Sequence, residues 1–295
     1  MSPSTSARLR LALAALLFST GGAAIKAAAF TAWQIAGLRS GVAALVLMLL
    51  APGARRAWSW RVFLVGAAYA ATLVLFVLAN RLTTSANTIF LQSTAPLYVM
   101  VLAPWLLHER VRPVDVGFMA VVALGLGLFF IGVEPPHATA PDPARGNLLA
   151  AGSGVTWALT VCGLRWMGAR DREGHGAIAS VVVGNLLAFA AALPWGLPLG
   201  HHPARDWVVI VYLGAFQIGV AYMLVTSALR WLPALDASII LLIEPALNPL
   251  WAWAVQGEVP SSPALAGGAI ILGATTVRTW LDARGRPAAE PLGSG

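Results

Sequence analysis

SANTIFLQSTAPLYVMVLAPWLLHE (Ser85 to Glu109) and ALDASIILLIEPALNPLWAWAVQGE (Ala234 to Glu258) align without a gap at an offset of 149 residues. Pro96 then falls on Pro245, and Glu109 on Glu258. Each stretch is a continuous apolar run. A bilayer core about 30 Å thick takes roughly 20 helical residues, and runs of that length recur near 11–29, 33–51, 61–80, 84–107, 114–132, 147–168, 176–197, 206–229, 235–256 and 263–282. They are continuous rather than alternating, which favours bundled helices over a barrel of short period-two strands. The expected fold is an all-α membrane protein whose ten transmembrane helices form two five-helix repeats. An odd number of helices per half makes the second copy enter the membrane in the opposite sense, so the repeat is inverted.

Composition agrees with a lipid solvent. The chain is 58% hydrophobic and 11% charged, with a mean hydropathy of +0.76, too little polar surface to coat a soluble globule of 295 residues. Its net charge of +7 is explained by orientation rather than nucleic-acid binding. With the N-terminus in the cytoplasm, only Lys26, Arg39, Arg81, Arg145 and Arg205 of the 19 Lys and Arg residues lie outside the inner segments, a positive-inside bias that places both termini in the cytoplasm. No basic face is interleaved with exposed aromatics, as nucleic-acid binding would need. A bacterial-type inner membrane is the expected location.

Arg8 and Arg10 before an apolar run resemble a signal peptide, but the run continues almost to Ala29 and supplies the first helix of the repeat. The one cysteine, Cys162, excludes an intramolecular disulfide and a cysteine cluster. His201 and His202 read as a solvated loop pair, and neither a metal site nor a cofactor is expected.

The expected organisation is a first five-helix repeat over 9–132, an external Pro-rich linker over 133–146, a second repeat over 147–282 and a flexible cytoplasmic tail over 283–295. Inverted repeats are a recurring construction of secondary transporters, with the solute site between the halves. A GxxxxGK[ST] phosphate loop, an HExxH and paired aspartates within the spans are all absent from the sequence, which argues against an ATP-driven pump and an intramembrane enzyme. The expected partners are a small-molecule solute, membrane lipid and, as a coupling species, protons, with no nucleic acid. A non-transporting scaffold or receptor and an importer or exchanger of the same fold are the alternatives.

The residues also resemble a known family. The repeat looks like two EamA modules of the drug/metabolite transporter superfamily, in which the fourth helix of each module carries a proline and ends in a glycine-glutamate or similar pair. Gly257 and Glu258 match that ending, whereas the first module has His108 before Glu109. Phe18 to Lys26 is similar to the family's first-helix pattern, and Leu38 to Leu45, with Arg39, to its second. The resemblance implies efflux of an amino acid-like or drug-like solute by alternating access.

Glu244 is the foremost site residue. It is expected about nine residues into its helix, roughly 14 Å from the end, where a carboxylate costs about 2.5–3.5 kcal/mol on insertion scales. Its repeat mate is Ala95, so the helix does not need an acid there. Arg39, expected about 9 Å into the second helix, either pairs with Glu244 or faces a cavity. Lys26 either attracts an anionic solute group or snorkels to the outer headgroups. Gln92 and Asn248 lie near the prolines opposite apolar repeat mates, and Trp157 and Tyr98 are aromatic groups suited to an amphipathic solute. Pro96 and Pro245 are expected to kink their helices in matched positions and serve as hinges or gates.

Overall fold

The computed structural model describes residues 3–106, 113–131, 135–168, 175–228 and 240–284, and these are all-helical apart from loops and one isolated bridge between His137 and Ala140. The elements are α1 (Pro3–Ser19), α2 (Gly21–Ala27), α3 (Ala32–Leu50), a 3-10 turn (Pro52–Arg56), α4 (Trp60–Leu82), α5 (Ser85–Gln92), α6 (Ala95–Leu106), α7 (Pro113–Leu128), α8 (Pro143–Gly168) and α9 (His175–Gly196). After them come α10 (Ala204–Val211), a π-helical stretch (Tyr212–Val220), α11 (Ala221–Ala228), α12 (Ile243–Gln256) and α13 (Ser262–Arg284).

By length and composition, six helices among the described residues can cross a membrane: Thr5–Ala27, Ala32–Leu50, Trp60–Leu82, Pro143–Leu164, His175–Gly196 and Ala204–Ala228. The burial pattern suits lipid. Leu45, Leu49, Trp105, Leu124, Trp195 and Val208 are exposed, whereas Arg39, Asn80, Asn185, Gln217 and Asn248 are buried. Water would invert that arrangement; hydrocarbon enforces it, because polar groups there must find partners inside the bundle.

Helix starts follow local chemistry. At α3, Thr31 Oγ1 accepts from the Gln34 N–H at 3.2 Å and Gln34 Oε1 accepts from the Thr31 N–H at 3.0 Å, a reciprocal capping box. Thr84 and Ser59 cap α5 and α4 through their hydroxyls.

Several boundaries differ from those read in the sequence. The first helix begins at Pro3 rather than near 11 and is interrupted at Thr20. α8 begins at Pro143, taking the last residues of the expected linker. The expected fourth span is broken at Ser93–Thr94, and the ninth has a turn at Leu242, the position reached from Ser93 by the 149-residue offset. Pro96 and Pro245 therefore do not kink continuous helices. Each sits in the first turn of a new one, α6 and α12, where the N–H that proline lacks has no intrahelical partner anyway. At the first break, the Ser93 and Thr94 hydroxyls donate to the carbonyls of Ile89 and Leu91 at 2.7 and 2.6 Å, adding a second bond to acceptors that the Ser93 and Thr94 N–H groups also reach.

Glycines set the helix crossings. α3 lies on α9, where a Cβ added to Gly37 would come 2.9 Å from Ala192 Cβ and one on Gly41 3.0 Å from the Phe189 ring. α4 packs on both α8 and α9, and a Cβ on Gly184 would stand 2.8 Å from the Gly66 carbonyl oxygen. α7 crosses α13 at Gly125 and Gly267, with the Arg278 guanidinium donating to Asp115 along the same pair of helices.

Replacing Gly184 with valine is expected to force α4 and α9 apart at about 1–3 kcal/mol. Gly127→Ala, which meets nothing within 4 Å, is expected to cost nothing and to raise stability by up to about 1 kcal/mol. Thermal unfolding in detergent, followed by monodispersity, separates the two.

Candidate functional site

A cavity of about 260 Å³ lies where the broken and irregular helices meet. α3 supplies Arg39; α4 supplies Tyr69, Thr72, Leu73 and Phe76; α1 supplies Phe18. From the other side come Gln92 at the end of α5, Trp157 of α8, Gln217 of the π-helical stretch, Tyr222 of α11 and Glu244 of α12. The aromatic groups form one connected wall. Tyr222 meets Phe18 edge-on at 5.3 Å and Tyr69 at 5.5 Å, and Trp157 tilts against Tyr69 at 6.3 Å.

Of the two arrangements expected for Arg39, the one found has it lining the cavity rather than paired with Glu244. Arg39 is 2% exposed, its Nη2 donates to the Leu73 carbonyl at 3.2 Å, and its Nε has no partner. Glu244 stands in the first turn of α12, because the helix restarts at Ile243. Helix N-termini carry unpaired N–H groups and a partial positive charge, which lowers the cost of an ionised carboxylate at that position. Among the described residues, Arg39 and Glu244 line one cavity without forming an ion pair within 4 Å of each other. An acid and a base are thus both presented to the same space.

Of the residues singled out in the sequence, Glu244, Arg39, Gln92 and Trp157 come together at this cavity. Gln92 Nε2 also donates to Ser153 Oγ at 3.3 Å. Tyr98 does not line it: its ring lies beside Gly154 on α8, 3.2 Å from where a Cβ would be. Asn248 lies one turn beyond Glu244, fully buried against Gly22 and Ser85. Lys26 neither faces the cavity nor snorkels outward. Its ammonium is buried, pairs with Glu258 Oε1, and donates to the carbonyls of Thr83 at 2.8 Å and Thr139 at 2.6 Å. Glu109, the repeat mate of Glu258, lies outside the described residues.

Glu258 reaches this position because α12 ends in a left-handed residue. Gly257 has φ +72°, the conformation open to glycine at little cost, and the chain turns back with the Gly257 N–H donating to Trp253 and the Glu258 N–H to Ala252. The second carboxylate oxygen of Glu258 accepts from the Ser85 N–H at 2.9 Å, at the start of α5. One ion pair so ties α2, α5, α12 and the segment after α7.

Tyr69, Thr72 and Phe18 were not singled out in the sequence. Their only signal was a hydroxyl or a ring within an apolar run, which packing explains equally well. Among the described residues no group of three or more His, Cys, Asp or Glu side chains assembles a metal site.

Comparison with known proteins agrees with this architecture. A family model described as the EamA-like transporter family matches residues 6–131 and again 144–279. A protein of Archaeoglobus fulgidus named an uncharacterized transporter is 26% identical over 211 residues, 72% of this chain and 73% of that protein. A solved crystal structure superposes with a TM-score of 0.63, covering 95% of this chain and 98% of the other at 20% identity, and shares the fold.

Removing Lys26 alone strands Glu258 in a buried setting. Lys26→Met is expected to cost about 3–5 kcal/mol, with Lys26→Met/Glu258→Gln recovering much of it. Gly257→Ala is expected to cost about 1–2 kcal/mol through the left-handed φ. Thermal melts of the three variants in one detergent check both figures.

Proposed function

Because the chain belongs to the EamA-like transporter family, we propose that it is a secondary transporter that exports a small amino acid-like or drug-like solute across a bacterial-type inner membrane by alternating access. Ten spans form two inverted five-helix repeats with both termini in the cytoplasm. The helix contacts support that arrangement. Counting expected spans in order, the third (α4) packs on the sixth (α8) and seventh (α9), as the eighth (Ala204–Ala228) packs on the first (α1) and second (α3). Likewise the second packs on the seventh and the fifth on the tenth, contacts that map onto themselves when the halves exchange. α1 and α12 run side by side in the same direction, with Trp251 Nε1 donating to Ser19 Oγ and Gln256 Nε2 to the Ala23 carbonyl. Two odd-numbered spans have that relation.

The observation that carries the reading is a cavity between the halves holding an acid and a base that are not spent on each other. Arg39 suits a solute carboxylate, Glu244 a solute ammonium or a proton, and the Phe18–Tyr222–Tyr69–Trp157 wall an apolar or aromatic body. Proton coupling follows if Glu244 exchanges its proton as access alternates. With that orientation the buried Lys26–Glu258 pair lies toward the outer end of the bundle, which supports reading it as the closure on the exterior side.

Purified protein in proteoliposomes, tested for uptake and counterflow of an amino-acid, nucleobase and cationic-drug panel with and without a pH gradient, provides the test. Wild type is expected to drive at least one solute with the gradient. Glu244→Gln is expected to reduce that gradient-driven component by roughly tenfold or more, the loss of about 1.4 kcal/mol or more of coupling, while retaining counterflow. Equal gradient-driven flux in both removes Glu244 from coupling, and no flux of any solute favours a scaffold or receptor.

A further inference from the structure

Between the cavity and the Lys26–Glu258 pair lie three fully buried polar side chains, Asn248, Asn80 and Ser85, that the transport site described above does not use. Neither side-chain atom of Asn248 has a hydrogen-bond partner, and the same holds for Asn80 Nδ2, Gln217 Oε1 and Gln256 Oε1. Asn248, Asn80 and Ser85 are each 0% exposed. An unpaired buried amide costs about 1–3 kcal/mol, and in a membrane protein such groups face the interior where something polar must meet them.

Their arrangement is directional. Asn248 follows Glu244 by four residues, about 6 Å along α12, and the helix runs on for roughly two more turns to its end at Gln256, before Glu258. On the neighbouring strip of α1 and α2, Phe18 is at the cavity, Gly21 and Gly22 come next, and Lys26 is at the end. The two glycines present bare backbone to the amides. A Cβ on Gly21 would lie 2.8 Å from Gln217 Nε2, and one on Gly22 would lie 2.9 Å from Asn248 Oδ1 and 3.0 Å from Ser85 Oγ. Ser85 Oγ donates to Asn80 Oδ1 at 3.3 Å, and the Ser85 N–H is held by Glu258. The file therefore runs from the cavity amide Gln217, past Asn248, Ser85 and Asn80, to the carboxylate of the closing pair. Beyond that pair is a second cavity of about 460 Å³, bordered by Lys26, Arg81 and Thr139.

We propose that Asn248, Asn80 and Ser85, set around Gly22, form a second polar site that takes the uncharged hydrogen-bonding part of the solute, a hydroxyl or amide, on its route from the cavity to the outer face, and that the Lys26–Glu258 pair is the closure beyond it. The unpaired amide atoms supply both donors and acceptors, so a dehydrated group of that class replaces the bonds it leaves in water. No charge is present among the three residues; a fully charged group is met only at the ends of the file, by Glu244 and Arg39 or by Lys26 and Glu258. The proposal rests on the transport reading, and its test needs no knowledge of the solute.

Single-cysteine variants in a Cys162→Ala background, in right-side-out and inside-out membrane vesicles, are treated with the membrane-impermeant cation 2-(trimethylammonium)ethyl methanethiosulfonate. Gln92→Cys reports the cavity, Asn248→Cys the second site, and Ala43→Cys the packed core. With the ion pair intact, Asn248→Cys is expected to react slowly from outside. Adding Lys26→Met/Glu258→Gln is expected to accelerate it on the order of tenfold as the open population rises, with Ala43→Cys inert in both backgrounds. Reaction at Gln92→Cys with none above the Ala43→Cys background at Asn248→Cys, whether or not the pair is intact, overturns the second site and leaves the transport cavity standing. No reaction at Gln92→Cys from either face counts against the transport cavity itself. Should Ala43→Cys react in the double variant, the comparison is made in Glu258→Asp, which keeps the charge and shortens its reach, and the same outcomes decide.

Discussion

The structure depends on one constraint: a backbone surrounded by hydrocarbon must keep its N–H and C=O groups bonded within the protein. Unbroken helices meet it automatically. Departures occur at Thr20, at Ser93–Thr94, at Leu242 and along Tyr212–Val220, and at the first two a side-chain hydroxyl bonds a backbone carbonyl of the preceding turn. Thr20 shows the pattern, its hydroxyl lying 2.7 Å from both the Leu17 carbonyl and the Tyr212 hydroxyl. The cavity lies among these irregular elements.

Charge is handled by two opposite arrangements. Lys26 and Glu258 are brought into contact and given further partners in the Thr83 and Thr139 carbonyls and the Ser85 N–H, so a costly burial of two ions becomes a tie between distant segments. Arg39 and Glu244 share a cavity without touching. A pair that neutralises itself has little left for a solute, whereas one kept apart retains its field in a low-dielectric space. A cation and a carboxylate thus fasten the chain in one place and face a shared cavity unpaired in the other.

How much of this the sequence disclosed depended on range. Continuous apolar runs located the helical segments to within a few residues in most cases, because hydropathy is a local property and the membrane imposes its length on each span. The breaks were less legible: Pro96 and Pro245 correctly drew attention to the fourth and ninth spans, but proline is as compatible with a first turn as with a kink, and only the packed structure chooses. Arg39, Gln92, Trp157 and Glu244 shared a mid-span position and do share a cavity. Tyr98 had the same apparent credentials, yet the restart of the helix after Thr94 sets its phase toward Gly154. Lys26 was misjudged because its partner is 232 residues away, and an ordinary surface role satisfied every local criterion.

The π-helical stretch from Tyr212 to Val220 has a geometric consequence for everything after it. Its hydrogen bonds close i to i+5 rings, so it stores an extra residue in the winding compared with an α-helix. Releasing one residue by rewinding to α geometry would rotate the downstream part of that helix by about 100° and advance it by about 1.5 Å. Gln217 lies within the stretch and Tyr222 just beyond it, so the lining of the cavity is coupled to the pitch of a single helix, with slack already wound into it.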